Sequence, residues 1–82
     1  MTILEEAQKL VDGDRQASYG SPKLCLQRTA SILSVLLNRE ISVKEICMFN
    51  IAQKLARTVG SEKRDNWIDA CGYMYIREDK LD

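Results

Sequence analysis

Apolar residues recur at intervals of three and four positions in four segments of this chain, and this spacing is typical of amphipathic helices. We therefore predict an all-α domain over residues 1–82, with helices at about residues 3–12, 22–38, 43–59 and 62–78 and a loop at residues 13–21. No segment alternates apolar and polar residues as a strand does. The short connections predict a compact four-helix bundle with largely antiparallel neighbours.

Residues that start or end helices stand at the predicted boundaries. Thr2 and Ser42 each precede a glutamate by three positions, which is the capping-box pattern of a helix start. Ser21 is followed by proline, as at the first position of a helix. Gly60 is expected to end the third helix, and Ser61 to be the N-cap of the fourth.

The apolar stripes identify the expected core. The residues on the core faces are Leu4, Ala7, Leu10 and Val11 on the first helix, Cys25, Thr29, Ile32, Leu33 and Leu36 on the second, Met48, Ile51, Ala52, Leu55 and Val59 on the third, and Ile68, Cys71, Gly72 and Tyr75 on the fourth. The second helix also carries Leu24, Val35 and Leu37 outside its stripe, which predicts a subunit contact. Gly72 costs roughly 1 kcal/mol relative to alanine in mid-helix, so we expect another helix to approach closely there.

Composition limits the classes of function. The chain has 12 cationic and 12 anionic side chains and a net charge of zero, which argues against non-specific nucleic-acid binding. It has three cysteines with wide spacing and no histidine, which disfavours a zinc site. Each cysteine lies in an apolar helical pattern, so we expect buried free thiols in a reducing cytoplasm. No stretch is long and apolar enough for a membrane span.

Four charged residues flank the break between the last two helices. Lys54 and Arg57 share one face of the third helix, and Asp65 and Asp69 share one face of the fourth. An antiparallel hairpin would bring both cations opposite both carboxylates. The group is then either a structural ladder of ion pairs or the wall of a polar site. In a polar site, the carboxylates could hold Mg²⁺ and the cations could hold phosphates.

The loop at residues 13–21 is the second candidate. Arg15 could bind a phosphate or carboxylate through its guanidinium, and Tyr19 could stack on a ring. The start of the second helix offers free backbone N–H groups for an anion. A loop fixed by the same two side chains for structural reasons alone is an equally good interpretation.

These motifs resemble those of small, mostly uncharacterised phage and prophage proteins. The shared pattern is a GDR-x3-YG loop, a K-x2-R pair and a D-x3-D-x2-GY helix, and it extends from about Leu4 to Ile76. That group is more distantly similar to nucleotide-modification-associated phage domains and to all-α, MazG-like nucleoside triphosphate pyrophosphohydrolases. The resemblance implies a helical, nucleotide-handling scaffold in the host cytoplasm that forms a homodimer or higher oligomer.

The chain departs from the MazG-like pattern at the metal site. Those enzymes bind Mg²⁺ with E-x2-E on one helix and E-x2-D on the next, whereas here Lys54 and Arg57 stand where acids are needed and only Asp65 and Asp69 remain. Our leading hypothesis is a protein that binds a phosphorylated nucleotide without hydrolysis or cofactor and thereby removes a nucleotide signal used in host defence. The alternatives are a Mg²⁺-dependent pyrophosphohydrolase and a protein-interaction inhibitor of a host defence enzyme.

Overall fold

The described chain is helical in all its regular structure. The computed structural model describes residues 1–14 and 20–81. Its α-helices are α1 (Ile3–Lys9), α2 (Pro22–Leu37), α3 (Val43–Arg57) and α4 (Arg64–Asp79). A π-helical turn, Leu10–Asp14, continues α1. The predicted all-α class with four helices is confirmed, and no strand occurs in the described part of the chain.

Helix α4 packs along both α1 and α3. Its contacts with α1 advance in the same direction along both helices: Glu6 pairs with Arg64, and further on Val11 lies beside Gly72. The two helices are therefore parallel, whereas α3 and α4 form an antiparallel hairpin through residues 58–63. The expectation of antiparallel neighbours is wrong for α1 and α4, because no short connection imposes their direction.

Capping residues fix two of the helix starts as predicted. The Thr2 hydroxyl accepts a hydrogen bond from the Glu5 N–H at 3.1 Å, and the Glu5 carboxylate accepts one from the Thr2 N–H at 3.0 Å. A second box at Ser42 opens α3 in the same way. The predicted N-cap of α4 is wrong, since Lys63 and not Ser61 holds that position.

The core lies between the four α-helices. Its buried apolar residues are Ala7, Val11, Leu26, Ala30, Ile41, Ile46, Cys47, Ile51, Ile68, Ala70 and Ile76. A serine joins α2 to the segment before α3, because the Ser34 hydroxyl donates to the Ala30 carbonyl at 2.7 Å and accepts from the Ile41 N–H at 2.9 Å. This bridge satisfies a backbone N–H that is buried in the core.

Helices α2 and α3 turn a different face inward from the predicted one. The predicted core residues that are exposed are Leu4, Cys25, Ile32, Leu36, Met48, Ala52, Leu55 and Val59. Helix α2 instead buries Leu26 and Ala30. Helix α3 buries Ile46 and Cys47 together with Ile51, the one residue of its predicted stripe that is buried. Both helices are apolar over much of their circumference, so residue spacing fits two faces and tertiary contacts select one of them.

All three cysteines were expected to be buried, but their exposure differs. Cys47 is fully buried, and burial raises the pKa of its thiol. Cys71 is half-buried, and Cys25 is exposed. All three are free. The prediction is therefore wrong for Cys25, which is exposed near the start of α2.

Candidate functional site

An apolar cavity lies between α1, the π-helical turn, the start of α2 and α4. Its described lining residues are Ala7, Leu10, Val11, Gly20, Pro22, Cys25, Leu26, Ile68, Asp69, Gly72, Tyr73 and Ile76. The cavity has a volume of about 170 Å³. An apolar cavity of about 150 Å³ accepts a benzene ring. The space is therefore large enough for one six-membered aromatic ring.

Gly72 contributes only backbone to the cavity wall. A Cβ atom added at this position would be 3.5 Å from Val11 Cγ2, which is an ordinary van der Waals distance. The expected close approach at Gly72 is present, but it is not tight enough to require glycine. The missing side chain instead leaves space beside the cavity.

A partly buried ion pair borders the cavity. Asp69 is the one charged residue among the described lining residues, and the Lys54 Nζ lies 3.1 Å from its Oδ2 atom. Only 17% of the Lys54 side chain and 16% of the Asp69 side chain are exposed. Lost hydration offsets much of the attraction in such a pair, so it adds little net stability. Its main physical effect is to fix a cation and a carboxylate next to an apolar wall.

Arg57 and Asp65 do not complete the predicted second pair. Both are exposed, and among the ion pairs of the described residues none joins them. Arg57 ends α3 and Asp65 lies in the first turn of α4, where the helix dipoles favour a cation and an anion respectively. Arg57 nevertheless lies one helical turn from Lys54, on the side open to solvent.

Arg15 and Tyr19, the other two predicted site residues, lie outside the described residues. Gly20 follows Tyr19 in the chain and lines the cavity. Its φ angle of 80° is in the left-handed region, which glycine adopts without steric cost. The predicted functional loop therefore meets the cavity at its C-terminal end.

Two sets of polar contacts that were not predicted from the sequence join α1 and the π-helical turn to α4 and the residue after it. The Arg64 Nε donates to the Glu6 carboxylate at 2.9 Å. The Asp12 carboxylate accepts from the Tyr75 hydroxyl at 2.6 Å and pairs with Lys80 Nζ at 2.8 Å. Hydrogen bonds from Lys80 and then Tyr75 hold the pKa of Asp12 below its ordinary value, and the bond to Asp12 raises the pKa of Lys80. Separations of 58 and 63 residues leave no local pattern to reveal these contacts.

The described part of the site combines an apolar cavity with a partly buried ion pair. Within residues 1–13 and 20–81, no group of three or more His, Cys, Asp or Glu side chains lies close enough to hold a metal ion. The Mg²⁺ option would use Asp65, which is exposed, and Asp69, which already binds Lys54. The apolar cavity has room for a ring, and the Lys54–Asp69 pair places one cation and one carboxylate at its border.

The fold and the cavity define a small all-α domain with a candidate ligand pocket. The chain belongs to the family described as a domain of unknown function (DUF6378), which matches residues 2–80. It is 38% identical over 73 residues to the Gene 55 protein of Mycobacterium phage D29. That alignment covers 88% of this chain and 48% of the relative, so the chain spans about half the length of the curated relative. No solved structure matches it.

These comparisons confirm the expected similarity to uncharacterised phage proteins. The more distant similarity to MazG-like enzymes stays a prediction. None of the helices in the described ranges is long and apolar enough to cross a membrane.

Proposed function

We propose that this domain binds a phosphorylated nucleotide and does not hydrolyse it. The observation that carries the proposal is the apolar cavity of about 170 Å³ with the Lys54–Asp69 pair on its border. An apolar wall binds the flat ring of a base, and an adjacent ammonium group binds phosphate. The volume suits the single ring of a pyrimidine, whereas a purine would extend beyond it.

The residues around the pair have complementary roles in this proposal. Lys54 and Arg57 bind the phosphates, and Arg57 can do so because it faces solvent one turn from Lys54. Asp69 accepts a hydrogen bond from a ribose hydroxyl or from an exocyclic amine of the base. Arg15 and Tyr19 add a guanidinium and an aromatic ring, whereas Asp65, which is exposed and pairs with neither cation, has no role in this proposal.

Hydrolysis by the metal-dependent route is disfavoured by the charges at the site. A lysine ammonium 3.1 Å from Asp69 competes directly with any Mg²⁺ for that carboxylate. The neighbouring acids that a two-helix metal site needs are replaced by cations at Lys54 and Arg57. Because the chain resembles a mycobacteriophage protein, we further propose that binding removes a nucleotide used as a host-defence signal.

Isothermal titration calorimetry with linear and cyclic pyrimidine and purine nucleotides tests the proposal. We expect a pyrimidine nucleotide to bind more tightly than millimolar. Lys54→Met should weaken binding by roughly 10- to 100-fold, because a hydrogen bond to a charged group contributes about 1.5–3 kcal/mol. Lys44→Met is the matched control, since Lys44 is an exposed lysine on the same helix.

Three results would contradict this reasoning. Absence of binding at millimolar nucleotide removes the proposed function. Equal losses in Lys54→Met and Lys44→Met would mean that binding is non-specific charge attraction. If the wild type releases pyrophosphate from a nucleotide in the presence of Mg²⁺ and Asp69→Asn does not, the domain is a pyrophosphohydrolase and not a binding protein.

A further inference from the structure

Gly72 forms a recess in the wall of the apolar cavity. All four glycines of the chain are described, and of these only Gly72 lies within an α-helix and is buried. Apart from its chain neighbours and the backbone of its own helix, the one described atom within 4 Å of a Cβ added at Gly72 is Val11 Cγ2. Protein interiors are close-packed, so a buried Cβ position is ordinarily surrounded by several neighbours. The space between Gly72 and Val11, which we call the Gly72 recess, is therefore part of the cavity that both residues line.

The Gly72 recess lies next to the charged border of the cavity. Gly72 follows Asp69 by three positions on α4, so the two are neighbours on one face of the helix, with about 5–6 Å between their Cβ positions. Asp69 carries the ion pair with Lys54, whereas Ile76, one turn beyond Gly72, continues the wall as an apolar side chain. A flat ring in the cavity therefore meets a charged pair at one edge and an apolar recess beside it.

A pyrimidine base has two edges that match this change in the wall. The oxygen on carbon 2, the ring nitrogen that follows it and the group on carbon 4 form a polar edge, whereas carbons 5 and 6 form an apolar edge. Burying a polar group without a hydrogen bond costs free energy, so the polar edge belongs at the border with the Lys54–Asp69 pair. The apolar edge then faces the Gly72 recess, and it is carbon 5 that carries the methyl group of thymine.

We propose that the Gly72 recess accepts a methyl group on carbon 5 of the base, so that the domain selects nucleotides of 5-methylated pyrimidines. This inference rests on the proposed nucleotide binding and adds the feature of the base that is recognised. A ligand methyl group can approach the Gly72 Cα atom and Val11 to about 3.5–4.0 Å, the optimal separation of two carbon atoms, whereas a side chain at position 72 would occupy that place. One methyl group buried in an apolar site should raise the affinity about 4- to 10-fold.

Isothermal titration calorimetry with two pairs of nucleotides tests this selection. The pairs are thymidine and deoxyuridine monophosphate, and 5-methyldeoxycytidine and deoxycytidine monophosphate, and the members of each pair differ only in the methyl group. The wild type should bind the methylated member about 4- to 10-fold more tightly, and the tighter pair identifies the group on carbon 4. Gly72→Ala should bring the ratio of the two dissociation constants to about one, because the added Cβ fills the recess. Gly60→Ala is the matched control and should keep the wild-type ratio, since nothing lies within 4 Å of a Cβ added there.

The outcomes separate this inference from the function on which it rests. If no nucleotide binds at millimolar concentration, the proposed function fails and the inference fails with it. If pyrimidine nucleotides bind equally well with and without the methyl group, the proposed function stands and the inference alone is overturned. A preference that persists in Gly72→Ala also overturns it, because the methyl group would then lie elsewhere. If Gly72→Ala does not fold, nuclear magnetic resonance of the wild type decides: a nuclear Overhauser effect between the ligand methyl group and a Val11 methyl group is expected, and its absence in a saturated complex overturns the inference.

Discussion

Replacing Gly72 by alanine should stabilise the domain. The added Cβ would lie 3.5 Å from Val11 Cγ2, so the methyl group fits without moving its neighbour. Glycine inside a helix costs about 0.8–1.0 kcal/mol relative to alanine. The stabilisation of about 1 kcal/mol should raise the melting temperature by roughly 4–8 °C in a domain of this size.

Thermal and urea unfolding followed by circular dichroism measure this change. Protein concentration is held constant, because self-association would itself shift the midpoint. The urea m-value should stay unchanged, so that the midpoint reports stability alone. Gly60→Ala is the control, because nothing lies within 4 Å of a Cβ atom added there. This substitution should change the melting temperature little.

The opposite sign is expected at Gly20. Its φ of 80° is unfavourable for alanine, so Gly20→Ala should lower the melting temperature.

A lower melting temperature for Gly72→Ala would show that Val11 cannot accept the methyl group, and the reasoning from the 3.5 Å contact would fail. Because Gly72 lines the cavity, the stabilised variant should also bind nucleotide more weakly, which separates stability from binding.

Two further predictions concern polar contacts outside the cavity. Ser34→Ala should destabilise the fold by about 1–3 kcal/mol in urea unfolding, because the buried Ile41 N–H loses its acceptor, whereas the exposed Ser31→Ala should change little. Asp12 has a pKa below its ordinary value of 3.8, so its contact with Lys80 stabilises the fold above that pH and is lost as pH falls below it. The difference in melting temperature between wild type and Asp12→Asn should therefore be largest near neutral pH and shrink near pH 3, about one unit below the ordinary value, and a constant difference would exclude this contact as its source.

Local signals predicted the fold better than they predicted its packing. The capping boxes at Thr2 and Ser42 form as expected, because each is completed within three residues. The hairpin of α3 and α4 brings Lys54 to Asp69, since a short connection fixes the register. Next to the connection of this hairpin, the expected pairing of Arg57 with Asp65 does not form, and both residues are exposed.

What the sequence could not predict depends on distant contacts. Helix α2 offers two apolar faces, and packing against the rest of the core decides that Leu26 and not Ile32 is buried. The cavity arises from the parallel packing of α1 on α4, which involves residues about 60 positions apart, and no local spacing encodes it. The space left beside Gly72 is likewise visible only once Val11 is placed.

The unequal burial of the cysteines gives a practical way to observe this molecule. Cys47 is enclosed and its thiol pKa is raised, so it resists alkylation, whereas Cys25 is open to reagents. After Cys71→Ser, a maleimide fluorophore would attach at Cys25 alone. Because Cys25 lines the cavity, the emission of this label would report the arrival of a molecule there.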